Sequence, residues 1–239
     1  MTGYEPARDP AADITPPAAG TGDPLPHQPA DAGDPSPDAP AGAREPAATR
    51  VARWVTGVFA PQALVIVLPP LIGLLTGGWP GAGWGLVASA LCGGVPAGVI
   101  LAGVRSGRLD SHHLVDRESR TRPLLVAMAA VSVALVLLVL LGAPILLVAT
   151  VTAMLAALAL TVPITLRWKI SFHAAVSTGT VVLLAHVLPA VPALTAGGLI
   201  VALICWARVR LRHHTPAQVV AGVIAGGGAA WATLAAFGV

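Results

Sequence analysis

Apolar runs of about twenty residues recur along this sequence, and the connections between them alternate between uncharged and charged. A run of that length lets a helix cross the hydrocarbon core of a bilayer. In lipid every backbone polar group must be satisfied within the segment, so repeated runs point to helices packed on helices. Seven such segments lie near 55–76, 84–104, 123–142, 144–166, 172–190, 192–207 and 217–237. Pro61, Pro69 and Pro70 predict a kink in the first, and the sixth is the shortest. The connections around 77–83, 142–144 and 190–193 carry no charge, whereas those around 105–122, 167–171 and 208–216 carry nearly all of it. With alternating spans, every charged connection falls on one face. The expected fold class is all-α: a polytopic membrane helical bundle of six to seven transmembrane helices, multi-pass in the cell membrane.

The composition agrees, with 55% hydrophobic residues, 10% charged residues and a mean hydropathy of +0.78. Net charge divides the chain in two. Residues 1–50 hold eight acids against three bases, and residues 51–239 hold eleven bases against three acids. The first part is rich in Pro, Ala, Asp and Gly and is expected to be a disordered tail, because it cannot bury enough apolar surface to offset ordering. It lacks the basic stretch and apolar core of a cleavable signal peptide. The second part, 51–239, is the expected transmembrane domain. Its basic excess sits in short loops, where it speaks to topology and anionic partners rather than to nucleic acid. Cys92 and Cys205 lie in apolar segments and read as packing residues, not as a disulfide or metal pair.

The most informative connection runs from Ala207 to Gln218. It places Arg208, Arg210, Arg212, His213 and His214 within seven residues between two apolar segments. Arginine at membrane depth costs roughly 2.5 kcal/mol or more, so the cluster belongs at a helix end beside water. Thr215, Pro216 and Gln218 then read as N-cap, first helical residue and capping-box partner of the next helix. A helix N-terminus carries unpaired N–H groups and positive partial charge, and therefore favours anions. The pattern recurs at Arg122-Pro123 and at Lys169-Ile170-Ser171-Phe172-His173, where Ser171 is a candidate N-cap. Three helix starts flanked by bases thus face one side of the membrane.

In order and character these clusters resemble the signature of the type 2 phosphatidic acid phosphatase superfamily, which includes the vanadium haloperoxidases. The family pattern is K-x6-R-P, then P-S-G-H, then S-R-x5-H-x3-D. Here it reads Arg122-Pro123, then Ile170-Ser171-Phe172-His173, then Ala207-Arg208-x5-His214-x3-Gln218. The resemblance covers roughly residues 100–225, and the Arg–His interval of the third cluster is its most specific part. It implies that His214 is a nucleophile forming a phosphohistidine, with Gln218 in the place of its orienting aspartate. It implies that His173 is the general acid and that Arg122, Arg208 and Ser171 bind phosphate. Lys169, the single lysine of the chain, and Arg117 stand near enough in sequence to add phosphate contacts.

Several positions depart from the pattern. Val115 stands where the family has lysine, Ile170 and Phe172 replace Pro and Gly, Ala207 replaces Ser and Gln218 replaces Asp. Other basic residues have plainer readings. Arg105, Arg108, Arg167, Arg210 and Arg212 read as topology charges. His112, His113 and His213 read as loop histidines, and His186 as a packing residue within a span. The histidine spacings match no standard zinc motif, and neither metal nor organic cofactor is expected.

The implied activity is metal-independent removal of phosphate from a lipid phosphate or polyprenyl (pyro)phosphate whose apolar tail lies in the bilayer. The alternatives are a catalytically degenerate relative that binds anionic lipid, motivated by Val115 and Gln218, and a transporter-like protein whose basic face only sets orientation. The positive-inside rule places the basic face in the cytoplasm, whereas many bacterial members of the family work on the outer face.

Overall fold

The computed structural model describes residues 45–105 and 117–239. The tail expected to be disordered falls largely outside the described residues, as do His112, His113 and Val115. The described residues contain no strand. They form α1 (Ala47–Val58), α2 (Pro61–Ser89), a five-residue π-turn (Ala90–Gly94), α3 (Val95–Arg105), α4 (Arg117–Leu140), α5 (Ile145–Arg167), α6 (Phe172–Val187), α7 (Ala190–Arg210) and α8 (Pro216–Phe237). Four stretches are long and apolar enough to cross a membrane: Pro61–Gly98, Ile145–Arg167, Ala190–Arg210 and Pro216–Phe237. Leu124–Leu140 and Phe172–Val187 are shorter apolar helices. Large side chains such as Trp79, Val191, Leu199, Ile224 and Trp231 face outward, as they would against lipid.

Two boundaries differ from the sequence reading. Residues 47–50, assigned to the tail, form the first turn of α1, and residues 55–58, assigned to the first span, form its last. Ala60 precedes Pro61 and is held extended at φ −60°, ψ 138°, so the helix cannot run through. Pro61 then opens α2 at a position where its missing N–H is harmless. Helix α1 is amphipathic. Ala52 and Val55 are buried against Ile204 and Ala207 of α7, while Arg50, Arg53 and Trp54 point outward.

The uncharged connection expected around 77–83 is a turn at Gly78, whose φ of 60° and ψ of −150° suit only glycine, while Pro69 and Pro70 lie inside the helical arm before it. There α2 folds back on itself. Gly73 meets the Gly81 backbone and Gly85 meets Pro69 and Pro70, so residues 61–77 and 79–89 run antiparallel. Pro70 has no N–H to give the Ile66 carbonyl one turn back. The Ser89 hydroxyl from the opposite arm donates to that carbonyl at 2.6 Å and so satisfies the acceptor that Pro70 leaves open. The fifth apolar segment, not the sixth, is the short one: α6 has 16 residues and α7 has 21. Pro189 ends one helix and caps the next, taking residues 188–190 from the expected span and lengthening its successor.

The contact that positions the site is α6 on α8. Gly222 lies against Ser171 and Ala174, Gly226 against the Ala175 backbone, and Gly179 against Gly226 and Ala230. Both partners advance together, so the two helices are parallel and their N-termini lie side by side. Small residues let the backbones touch, the usual device for helix pairs in lipid. A Cβ at Gly226 would overlap the Ala175 carbonyl. Gly226→Val is therefore expected to cost about 3 kcal/mol, read as a lowered thermal midpoint in detergent. An unchanged midpoint would mean that the pair is not this tightly joined.

Candidate active site

Helix α7 ends in a tight wrap. Arg212 takes a left-handed conformation at φ 54°, alone in this among the described non-glycine residues. Such a residue costs about 1–2 kcal/mol over the right-handed form, and here it is the left-handed residue that closes the helix end, its N–H donating to the Val209 carbonyl. The wrap turns the His213 and His214 N–H groups back onto the Arg208 carbonyl, at 3.1 and 3.3 Å. His214 is thereby set immediately before α8.

The start of α8 is capped as expected, and the cap also fixes the state of His214. The Thr215 hydroxyl accepts from the Gln218 N–H at 3.4 Å, and the Thr215 N–H donates to Gln218 Oε1 at 3.2 Å. The backbone N–H can only donate, so the amide atom facing it is the oxygen. His214 Nδ1 lies 3.2 Å from the same oxygen. An amide oxygen only accepts, which makes Nδ1 the protonated nitrogen and leaves the Nε2 lone pair directed elsewhere. Burial and then the Arg208 charge push the His214 pKa down to about 4, against a smaller upward pull from Gln218. The ring is neutral and nucleophilic at ordinary pH.

Helix α6 brings the second imidazole. Ser171 caps it, accepting from the Ala174 N–H at 3.4 Å, and is fully buried. Its backbone N–H, expected to hold phosphate, donates instead to the Gln218 carbonyl at 3.2 Å. Ser171 therefore ties α6 to α8, with only its hydroxyl proton left for other use. The ring pKa of His173, the second residue of α6, is pushed down to about 4 by burial and then by the Arg208 charge, against a smaller upward pull from the Thr56 backbone of α1 and with further lowering by His214 and His213. Arg208 is half-buried, and its Nε is buried without a hydrogen-bond partner among the described residues.

The cluster is strongly cationic. Burial and then Arg208, Lys169 and Arg53 lower the pKa of His213, and Lys169 also acts on His214. The structure thus brings together His173, Arg208, His213, His214, Gln218 and Lys169. Arg117 and Arg122 lie in the first turns of α4, but their side chains fall outside the described residues. His186 is exposed in the last turn of α6, away from the cluster, rather than packed within a span. Ala207 is fully buried under α1. Among the described residues no three His, Cys, Asp or Glu side chains are grouped to hold a metal.

Sequence reasoning missed α1. It carries Thr56 and Arg53 to the site, yet belongs to none of the basic clusters. Its signal was the spacing of Ala52, Val55, Thr56 and Phe59, one helical face between Arg50, Arg53 and Trp54. No family model, curated protein or solved structure matches the chain.

Proposed function

We propose that this protein is an integral membrane phosphohydrolase that removes phosphate from a lipid phosphate or polyprenyl (pyro)phosphate through a phosphohistidine on His214. The observation that carries the reading is the capping box of α8, whose Gln218 oxygen also receives the His214 Nδ1 proton. A neutral imidazole with an oriented Nε2 lone pair, next to Arg208 and beside two helix N-termini, is the arrangement that in-line attack on phosphorus requires.

In the first step the Nε2 lone pair forms a bond to phosphorus as the ester P–O bond breaks. His173, whose ring burial and the Arg208 charge keep unprotonated before substrate binds, takes up a proton as the bound phosphate dianion offsets that charge and supplies it to the leaving oxygen. Water then attacks the phosphohistidine, giving its proton to His173 and releasing phosphate and neutral His214. Arg208 and Lys169 offset charge on the non-bridging oxygens. Arg122 and Arg117 are assigned this role from the resemblance alone. The lateral approach of a substrate with an apolar tail suits a site placed where three helices meet a membrane boundary.

The binding-protein reading draws on one observation, that the partner of His214 is a neutral amide rather than a carboxylate. Phosphate release from a panel of lipid phosphates in detergent, with EDTA present, separates the two, since a degenerate relative binds these lipids without releasing phosphate. The pH profile adds a second check. The ordinary imidazole value of 6.5 falls to about 4 for His214, so the nucleophile stays unprotonated far below neutrality and the acid limb of kcat/KM should lie well below 6.5. Stability runs the same way. Between 6.5 and about 4 the unfolded chain takes up a proton that folded His214 refuses, so stability falls as pH drops through that window and then levels off. An acid limb at 6.5 would mean that burial and Arg208 do not hold the His214 ring neutral in this way.

A further inference from the structure

Helical threonines commonly return their hydroxyl proton to the carbonyl one turn back. Thr76, Thr150, Thr152, Thr161, Thr178 and Thr233 do so here, at 2.6 to 2.8 Å. Thr56 does not. Its Oγ1 is buried and has no hydrogen-bond partner among the described residues. Thr56 shares the docked face of α1 with Ala52 and Val55, so the hydroxyl is turned into the protein and away from lipid and water.

The surroundings say what it faces. The Thr56 backbone lies close enough to the His173 ring to favour its protonated form. Arg208 follows Ala207, the residue that α1 covers, and its charge acts on the same ring. Its Nε is the other buried donor here without a partner. Two buried donors without partners, one of them cationic, thus belong to the two residues, on the packed helices α1 and α7, that both act on the His173 ring. A buried donor left unmade costs about 1–3 kcal/mol and calls for an explanation. An oxyanion that accepts from both provides one. Thr165, Ser177 and Thr180 also lack partners, but none of them is among the groups acting on His173 or His214.

We propose that Thr56 contacts the substrate, its hydroxyl donating to a non-bridging oxygen of the phosphate that Arg208 holds while its carbonyl keeps the His173 ring in place. This rests on the phosphohydrolase reading of the site. It makes α1 part of the active site rather than a lead-in to the first span.

The test compares wild type, Thr56→Val and Thr56→Ser as full chains in detergent. Inorganic phosphate binding is followed by titration, turnover is measured on a lipid phosphate, and the thermal midpoint is recorded for each. Valine keeps the shape and backbone of threonine and removes only the donor. Thr56→Val is expected to weaken phosphate binding and raise KM about tenfold, with kcat little changed and the thermal midpoint held or raised. Thr56→Ser should stay within about twofold of wild type, because it restores the hydroxyl. Phosphate binding by Thr56→Val equal to wild type overturns the proposal. So does a loss shared by Thr56→Ser, or a loss that follows a fall in the midpoint. Where wild type turns over in a His214-dependent way and Thr56→Val is indistinguishable from it, the contact alone fails. Where wild type neither binds phosphate nor releases it, the functional reading fails as well.

Discussion

Replacing His214 with alanine is expected to lower phosphate release by about a thousandfold or more and to abolish any acid-labile phosphoenzyme. Arg208 and the helix N-termini would remain, so substrate should still bind. The check is trapping with labelled substrate in wild type and variant. Label retained on His214→Ala, or unchanged turnover, would reject the nucleophile assignment. The same assay can test the role of Gln218. Its oxygen serves both the Thr215 N–H and His214 Nδ1, at 3.2 Å each. Gln218→Glu keeps that reach and adds a charge opposite the imidazole, whereas Gln218→Asp matches the family residue but is one methylene shorter. Gln218→Glu should therefore raise the rate at neutral pH, and it should move the acid limb upward because a carboxylate favours the protonated ring.

His173→Ala carries the second large effect. A general acid contributes roughly a hundredfold to ten-thousandfold where the leaving oxygen is basic. Alkyl and polyprenyl phosphates should lose that much, while an aryl phosphate with a good leaving group should lose little. The ratio of the two losses is the measurement. A uniform loss across leaving groups would mean that His173 positions phosphate and does not deliver a proton. His173 is the second residue of α6, and Arg208, the Thr56 backbone, His214 and His213 all act on its ring, so a change at any of these is expected to alter the same ratio.

Much of the fold was legible because it depends on short-range chemistry. Apolar runs of span length can only be helices in lipid, and the alternation of charged loops located their ends. The α8 cap was readable from Thr215, Pro216 and Gln218, since capping is decided within four residues, and the Ser171 cap of α6 followed in the same way. The candidate histidines and Arg208 were named by interval alone. How the first span carries Pro70 was not legible, because the hydroxyl that satisfies the Ile66 carbonyl comes from Ser89, 23 residues away, and no local rule sees it.

What tertiary structure decided is how those local pieces share partners. The parallel packing of α6 on α8 depends on glycines meeting backbone from another helix, and it spends the Ser171 N–H on Gln218 instead of leaving it for an anion. The lowered His214 pKa comes from burial and from Arg208, on the helix before it. The place of α1 depends on Ala52 and Val55 finding Ile204 and Ala207, about 150 positions further along the chain. By itself the sequence determined which long apolar stretches are helical, where α6 and α8 are capped and where the basic residues sit, since these follow from spacing within a turn or two. Which donors face one another across helices and which helix closes over the site were settled only by packing, because each requires groups far apart in the chain to meet in the same few ångströms.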